Sequence, residues 1–71
     1  MQKGSSMPII DVSLLTGRTE SELREMISAV HEAVVRSLGV PSASVRILVR
    51  EVPPTHWAAD GETIAERRAR S

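Results

Sequence analysis

Cysteine is absent from this chain of 71 residues, and Trp57 is its single aromatic residue. Without cysteine the chain can form no disulfide, no zinc–thiolate site and no thiol-based catalytic centre. Its two histidines, His31 and His56, are too few for an ordinary metal site unless carboxylates complete the ligand set. A lone tryptophan provides no stacking platform for single-stranded nucleic acid. These absences exclude a disulfide scaffold and argue against a metal centre.

An excess of charge of one sign is also missing, because 9 basic side chains balance 9 acidic ones. Balanced charge gives no general attraction to nucleic acid or to an anionic membrane. No apolar run approaches the ~20 residues that a membrane span requires, and residues 1–6 lack the apolar segment of a signal peptide. We expect a cytoplasmic protein that binds neither nucleic acid nor membrane.

Three segments of the chain have clear secondary-structure patterns. Residues 9–15 are rich in β-branched side chains and alternate as a strand does, and residues 44–52 repeat this pattern. Between them, Thr19 and Glu22 have the spacing of a helix capping box, and Gly39 supplies a stop signal. The apolar stripe expected on this helix contains Leu23, Met26, Ile27, Val30, Ala33, Val34 and Leu38. Strand, helix and strand predict a β-α-β unit with parallel strands.

The remaining sequence predicts a small α/β (α+β) fold that is incomplete as a monomer. Asp60–Gly61 is a turn signal, so a short C-terminal hairpin is expected, followed by a solvated basic tail at residues 65–71. Two strands and one helix leave both sheet edges and one sheet face uncovered, and that face carries Leu48 among arginines. We therefore expect an oligomer, with any site lying between subunits.

Three residues could carry chemistry, although none is specific when taken singly. Pro8 would be a secondary amine, and therefore a good base, if the chain began there, but a proline at the start of a strand is more often structural. Arg18, at the turn after the first strand, and Arg46, in the second strand, could bind carboxylates bidentately or stabilise an enolate. Most arginines are instead solvated or ion-paired.

Six segments of the chain keep a family pattern in order and without a gap from Pro8 to about Arg68, namely residues 8–10, 14–19, 37–41, 44–51, 56–57 and 60–62. Through these segments the sequence resembles the 4-oxalocrotonate tautomerase family of the tautomerase superfamily. A short motif alone would be weak, whereas spacing kept over nearly the whole chain is specific.

The resemblance implies a role for each candidate residue. The amino-terminal proline of the family, which moves a proton from oxygen to carbon, corresponds to Pro8. The arginine that binds the distal carboxylate of the substrate corresponds to Arg18, and the one that polarises the 2-hydroxy or 2-oxo group and the adjacent carboxylate corresponds to Arg46. Both arginines are therefore expected to bind substrate and to assist catalysis. The aromatic wall, usually phenylalanine, corresponds to Trp57. The implied reaction is cofactor-independent ketonisation of a dienol such as 2-hydroxymuconate, with neither a metal nor an organic cofactor.

The resemblance also implies an assembly. Members of the family are hexamers, commonly trimers of dimers, whose sites draw residues from neighbouring subunits. We therefore expect a homohexamer of this chain that binds a small carboxylate substrate. The alternative is a heterohexamer that also contains a second kind of subunit.

Pro8 is internal in this sequence, which departs from the family pattern. An internal proline nitrogen is a tertiary amide without useful basicity. Either translation starts at Met7, or the preceding residues are an expression remnant, or the chain keeps them and is a non-catalytic structural or binding subunit. We expect residues 1–7 to be an extension and residues 8–71 to be the tautomerase-like domain.

Two positions argue against the dehalogenase activity of related proteins, and three further polar residues are expected to have structural or solvent-exposed roles. Related dehalogenases carry a glutamate where this chain has Ala59 and a further arginine where it has Leu15. We expect His31 to lie at the border of the helical stripe and His56 to face solvent. Arg50 shares a strand face with Arg46 and could assist binding, although an interface ion pair is the more common role for such a residue.

Overall fold

The computed structural model describes residues 7–70 and contains the predicted β-α-β unit followed by a hairpin. The elements in chain order are β1 (Ile9–Leu15), α1 (Glu20–Leu38), β2 (Arg46–Val52), β3 (Ala58–Ala59), β4 (Glu62–Thr63) and α2 (Ile64–Ala69). Residues 1–6 of the expected extension, and Ser71, lie outside the described residues. Within residues 7–70, neither helix combines the length and apolar composition needed to cross a bilayer.

Strands β1 and β2 form a two-stranded parallel sheet, as predicted. The register runs from Ile9 opposite Arg46 to Leu15 opposite Val52. Main-chain hydrogen bonds continue past both ends, because Arg46 N–H donates to the Pro8 carbonyl at 3.0 Å and Thr16 N–H donates to the Val52 carbonyl at 3.0 Å. The parallel arrangement places the starts of both strands at one end of the sheet and their ends at the other.

Strand β2 begins two residues later than predicted, because residues 42–44 form a turn of 3₁₀ helix. Ser44 donates to the Pro41 carbonyl twice, from its N–H at 3.0 Å and from its hydroxyl at 2.8 Å. Such local bonds from serine compete with extended structure. The turn leads the chain from α1 into the sheet.

Helix α1 begins and ends at the residues that the sequence indicated. Thr19 and Glu22 form the reciprocal capping box, with bonds of 3.1 and 3.0 Å. Gly39 adopts the left-handed conformation at φ 66° and donates its N–H to the Val35 carbonyl at 2.9 Å. Local chemistry therefore sets both helix boundaries.

The apolar stripe of α1 differs from the prediction at its rim. The half-buried side chains are Leu23, Met26, Ile27, Val30, His31, Val34 and Val35. Ala33 is exposed, and Leu38 is 60% exposed. A helix of 19 residues is about 28 Å long, whereas a strand of 7 residues spans only about 23 Å, so the sheet is too short to cover the whole of α1.

No residue from 7 to 70 is fully buried, so the protomer has no enclosed core. The half-buried faces of β1 and β2 meet α1, whereas Ile9 and Leu48 on the opposite face are 62% and 51% exposed. This is the uncovered sheet face that the sequence predicted. Small chains without a core, a disulfide or a metal are usually stabilised by association.

The C-terminal segment forms the predicted hairpin and a helix that was not predicted. β3 and β4 pair antiparallel across Asp60 and Gly61, both of which have positive φ (55° and 76°), as the favoured two-residue hairpin turn requires. The tail expected from residue 65 is therefore wrong in its backbone structure, because Ile64–Ala69 is helical, although residues 66–70 are exposed as a solvated segment would be. A second capping box explains this helix, since Thr63 and Glu66 exchange bonds of 3.0 Å.

Candidate functional site

Pro8 and Arg46 lie together at the amino end of the sheet. Pro8 is half-buried, directly before β1, and its carbonyl accepts the Arg46 N–H at 3.0 Å. The start of β1 is therefore fixed in register with the strand that carries Arg46. Met7 precedes Pro8 in this chain, so the Pro8 nitrogen is an amide here.

The Arg46 guanidinium is held by the turn that precedes its own strand. Its Nη1 donates to the Ala43 carbonyl at 2.7 Å and contacts the Val45 carbonyl at 3.4 Å. The first contact has the short length typical of a charged donor. Arginine has five N–H donors, so the remaining donors of Arg46 can still bind a carboxylate or an oxyanion.

Arg18 and Trp57 lie at the opposite, carboxyl end of the sheet. They line a shallow cleft together with the loop after β1 and with Arg68 of α2. Gly17 has φ 129°, a conformation that other residues rarely adopt. It lies in the turn between β1 and α1, immediately before Arg18. The Arg18 guanidinium is 3.9 Å from the Glu22 carboxylate, and both side chains are more than half exposed. A pair this exposed leaves Arg18 available to a ligand.

Arg68 is a cleft residue that the sequence interpretation missed, because residues 65–71 were assigned to a tail. The signal that predicts its position is the second capping box, at Thr63 and Glu66, which starts α2. Glu62 fixes the far end of this helix by accepting two bonds from Arg70, at 2.6 and 2.8 Å, and by pairing with Arg67 at 3.7 Å. The Arg70 hydrogen bond is the main reason why the pKa of Glu62 lies below its usual range. The pKa of Arg70 is raised in turn.

The two ends of the sheet are separated by the length of β1. Seven residues in a strand span about 23 Å, which is far longer than a small carboxylic acid. The fold of one protomer thus brings Pro8 close to Arg46, and Arg18 close to Trp57. It does not bring these two pairs together.

The other sequence candidates occupy structural positions. His31 is half-buried on α1, as expected, and its Nε2 lies 3.1 Å from the Ser42 hydroxyl and 3.2 Å from the Ser42 carbonyl. His56 is exposed. Arg50 pairs with Asp11 of the adjacent strand at 3.4 Å, within one protomer. Among residues 7–70, no cluster of three histidine or acidic side chains could hold a metal ion.

The sequence matches a protein-family model described as tautomerase enzyme over residues 8–67. The 2-hydroxymuconate tautomerase of Stutzerimonas stutzeri is 39% identical over 57 residues, which cover 80% of this chain and 90% of that protein. The family match begins at Pro8 and spans the whole β-α-β unit and the hairpin.

Two solved structures show the same fold. One belongs to the 4-oxalocrotonate tautomerase isozymes of Methylibium petroleiphilum, with 44% identity, a TM-score of 0.87, and coverage of 90% of this chain and 100% of that one. The other is a heterohexameric 4-oxalocrotonate tautomerase from Chloroflexus aurantiacus, with 37% identity, a TM-score of 0.80, and coverage of 84% and 97%. The chain therefore belongs to the tautomerase family of enzymes and, within it, to the 4-oxalocrotonate tautomerase group.

Proposed function

We propose that this protein is a cofactor-independent enol–keto tautomerase that acts on a 2-hydroxydienoate such as 2-hydroxymuconate. Pro8 is the general base once it is the amino terminus of the chain. The observation that carries the proposal is the position of Pro8, which the hydrogen bond to Arg46 N–H holds at a defined point beside β2. The names of related proteins, among them the 2-hydroxymuconate tautomerase of Stutzerimonas stutzeri, support the choice of substrate.

The proposed reaction conserves protons and needs no electron carrier. The Pro8 amine takes the proton of the 2-hydroxyl group, and the electron pairs of the dienol shift along the conjugated chain. The prolinium ion then returns the proton to carbon, which gives a conjugated 2-oxo acid and regenerates the amine. Arg46 stabilises the negative charge that develops on the 2-oxygen.

Arg18 and Trp57 supply binding at the other end of the substrate. The planar guanidinium of Arg18 can bind the distal carboxylate bidentately. Where a neighbouring copy of the chain brings the apolar wall of Trp57 against the amine, it disfavours the charged form, so that the amine is unprotonated and able to accept a proton at neutral pH. Both residues line one cleft, which supports assigning them to one binding site.

We further propose that each site is built from more than one copy of the chain, within a hexamer of one or two kinds of subunit. Pro8 and Arg18 of one protomer are about 23 Å apart along β1, so one small acid cannot contact both. The absence of fully buried residues among the described ones also favours association. The relative from Chloroflexus aurantiacus is a heterohexamer.

Subunit mixing tests both proposals. Pro8→Ala and Arg18→Ala chains, each beginning at residue 8, are unfolded together and refolded as a mixture. Ketonisation of 2-hydroxymuconate is assayed at a substrate concentration well below KM, where Arg18→Ala alone is weakly active. If Pro8 and Arg18 of a site come from different copies, random assembly leaves about one quarter of the sites intact, and that share of activity returns. Each variant refolded alone is the control. A mixture no more active than the two controls would show that a single protomer supplies both residues.

A second candidate function is a non-catalytic subunit, favoured by the presence of Met7 before Pro8. An amide nitrogen at Pro8 cannot act as a base. The comparison is between the full chain and a chain beginning at Pro8, each confirmed by intact mass and by assembly size. We expect ketonisation only from the chain beginning at Pro8. If neither form converts 2-hydroxymuconate or a shorter 2-hydroxydienoate, the tautomerase proposal fails and the structural role remains.

A further inference from the structure

We propose that His31 is a positioning residue for Arg46 and acts through the 3₁₀ turn at residues 42–44. The inference rests on the proposed catalytic role of Arg46. His31 lies on α1 and is not one of the four candidate site residues, so the inference adds a residue that influences the reaction rate without contacting the substrate.

His31 attaches the turn to the helix. Its Nε2 is 3.1 Å from the Ser42 hydroxyl and 3.2 Å from the Ser42 carbonyl, and these two residues are 11 positions apart in the chain. When Nε2 carries the proton it donates to the carbonyl, and when it does not it accepts from the hydroxyl. Either neutral tautomer therefore ties α1 to Ser42.

The next residue of the turn holds Arg46. The Ala43 carbonyl accepts the Arg46 Nη1 at 2.7 Å, the shortest hydrogen bond that Arg46 makes within residues 7–70. Ser42 and Ala43 are adjacent in the backbone, so a shift of the peptide at Ser42 moves the Ala43 carbonyl and the guanidinium that it binds. The path from His31 to Arg46 thus consists of two hydrogen bonds and one short stretch of main chain.

The turn needs such an attachment because its own bonds are few. It has three residues, no side-chain hydrogen bond caps its start, and Ser42 and Ala43 are exposed. Its local bonds run from Ser44 to Pro41 and, at 3.4 Å, from Val45 N–H to the Ser42 carbonyl. Short 3₁₀ segments have poor hydrogen-bond geometry, so an external contact from a half-buried helical side chain restricts their motion.

In this proposal the position of the Arg46 guanidinium affects the rate of the chemical step more than the affinity for substrate. Electrostatic stabilisation of a developing charge depends on donors that are already in place when the charge forms. A misplacement of about 1 Å can cost up to about 100-fold in rate. Loss of the His31 contact should therefore lower kcat and change KM little.

The test uses assembled protein beginning at Pro8 and compares His31→Leu with His31→Gln, whose amide can renew the contact to Ser42. We expect His31→Leu to lower kcat for 2-hydroxymuconate about tenfold with KM nearly unchanged, and His31→Gln to recover most of the loss. The matched control is Ser37→Ala on the same helix, whose exposed hydroxyl bonds to the Val34 carbonyl of its own helix, at 3.5 Å. Assembly size and melting temperature are recorded for every variant.

A double variant separates positioning from a general structural effect. In an Arg46→Ala background, His31→Leu should cause no further loss, because the group that it positions is gone. Equal losses in both backgrounds, or a kcat of His31→Leu within twofold of the parent, would overturn the inference. If His31→Leu does not assemble, His31→Ala replaces it, both alone and in the Arg46→Ala background. Its kcat is then compared with that of His31→Gln in the same way. Failure of the proposed function is distinguishable, since the parent protein beginning at Pro8 would then show no ketonisation at all. An active parent whose kcat is unchanged by Arg46→Ala would instead remove Arg46 from the mechanism, and with it the inference about His31.

Discussion

The two ends of the parallel sheet carry different chemistry and are held by different means. At the amino end, Pro8 and Arg46 are joined through main-chain bonds, and the preceding turn holds the Arg46 guanidinium. At the carboxyl end, Arg18 makes an exposed ion pair at 3.9 Å and shares a cleft with Trp57. The first arrangement suits a base and a charge stabiliser, which need fixed positions, and the second suits the binding of a mobile carboxylate. One protomer therefore separates the two pairs of candidate residues, and in the proposed function assembly joins them.

The largest expected effect comes from the base at the amino end. In a chain beginning at residue 8, Pro8→Ala replaces the secondary amine by a primary amine with a different geometry. We expect kcat for 2-hydroxymuconate to fall by about 10²–10⁴-fold, the range for loss of a general base. Steady-state kinetics on variants checked for assembly provide the measurement. Pro54→Ala, in the loop after β2, is the control, and equal activities of Pro8→Ala and this control would remove Pro8 from the mechanism.

Substitution of the arginines at the two ends of the sheet should change different kinetic parameters. Arg46→Ala should lower kcat about 100-fold, as the loss of one charge-stabilising donor group does elsewhere. Arg18→Ala should mainly raise KM, by about tenfold, because it binds a carboxylate that does not react. Steady-state kinetics with 2-hydroxymuconate separate the two parameters for each variant.

The matched control for Arg18 is a substrate rather than a variant. A 2-hydroxydienoate that lacks the distal carboxylate should be converted equally well by the parent and by Arg18→Ala. A similar penalty with both substrates would show that Arg18 does not recognise that carboxylate. It would also end the division of roles between the two ends of the sheet.

The smallest expected effect concerns the contacts of Glu62 with Arg70 and Arg67, which we call the Glu62 clasp. These contacts involve the helix that carries Arg68. The folded-state pKa of Glu62 is lowered, chiefly by Arg70, so the stabilisation is present above the ordinary glutamate pKa of about 4.5 and is lost as pH falls through the lower folded value. Amide exchange in α2 should therefore speed up progressively as pH is lowered from 7 into the acidic range, once intrinsic exchange is corrected for. In Glu62→Gln the corrected protection should be low throughout this range. Glu25→Gln, on the exposed face of α1, serves as the control, and an unchanged α2 in Glu62→Gln would contradict the role of the clasp.

Local sequence signals predicted the elements whose boundaries depend on local bonds. β1 spans the predicted residues, and α1 begins and ends at its caps, because Thr19, Glu22 and Gly39 act within one turn of the helix. The start of β2 was placed too early, since the bonds of Ser44 to Pro41 compete with extension. Helix α2 was missed because its six residues are too few to display an apolar stripe. Its capping box was nevertheless present in the sequence.

The sequence alone determined the order of β1, α1, β2 and the C-terminal hairpin, and it indicated the incomplete core. It also provided Pro8, Arg18, Arg46 and Trp57 as a candidate set. Only the tertiary structure decided that this set divides between two ends of the sheet. The reason is that a helical crossover returns the chain to the start of the sheet, which aligns β1 with β2 and leaves Pro8 and Arg18 at opposite ends of β1. Tertiary structure also brought Arg68 to the cleft and His31 to the turn beside Arg46, because both contacts join segments that no local pattern relates.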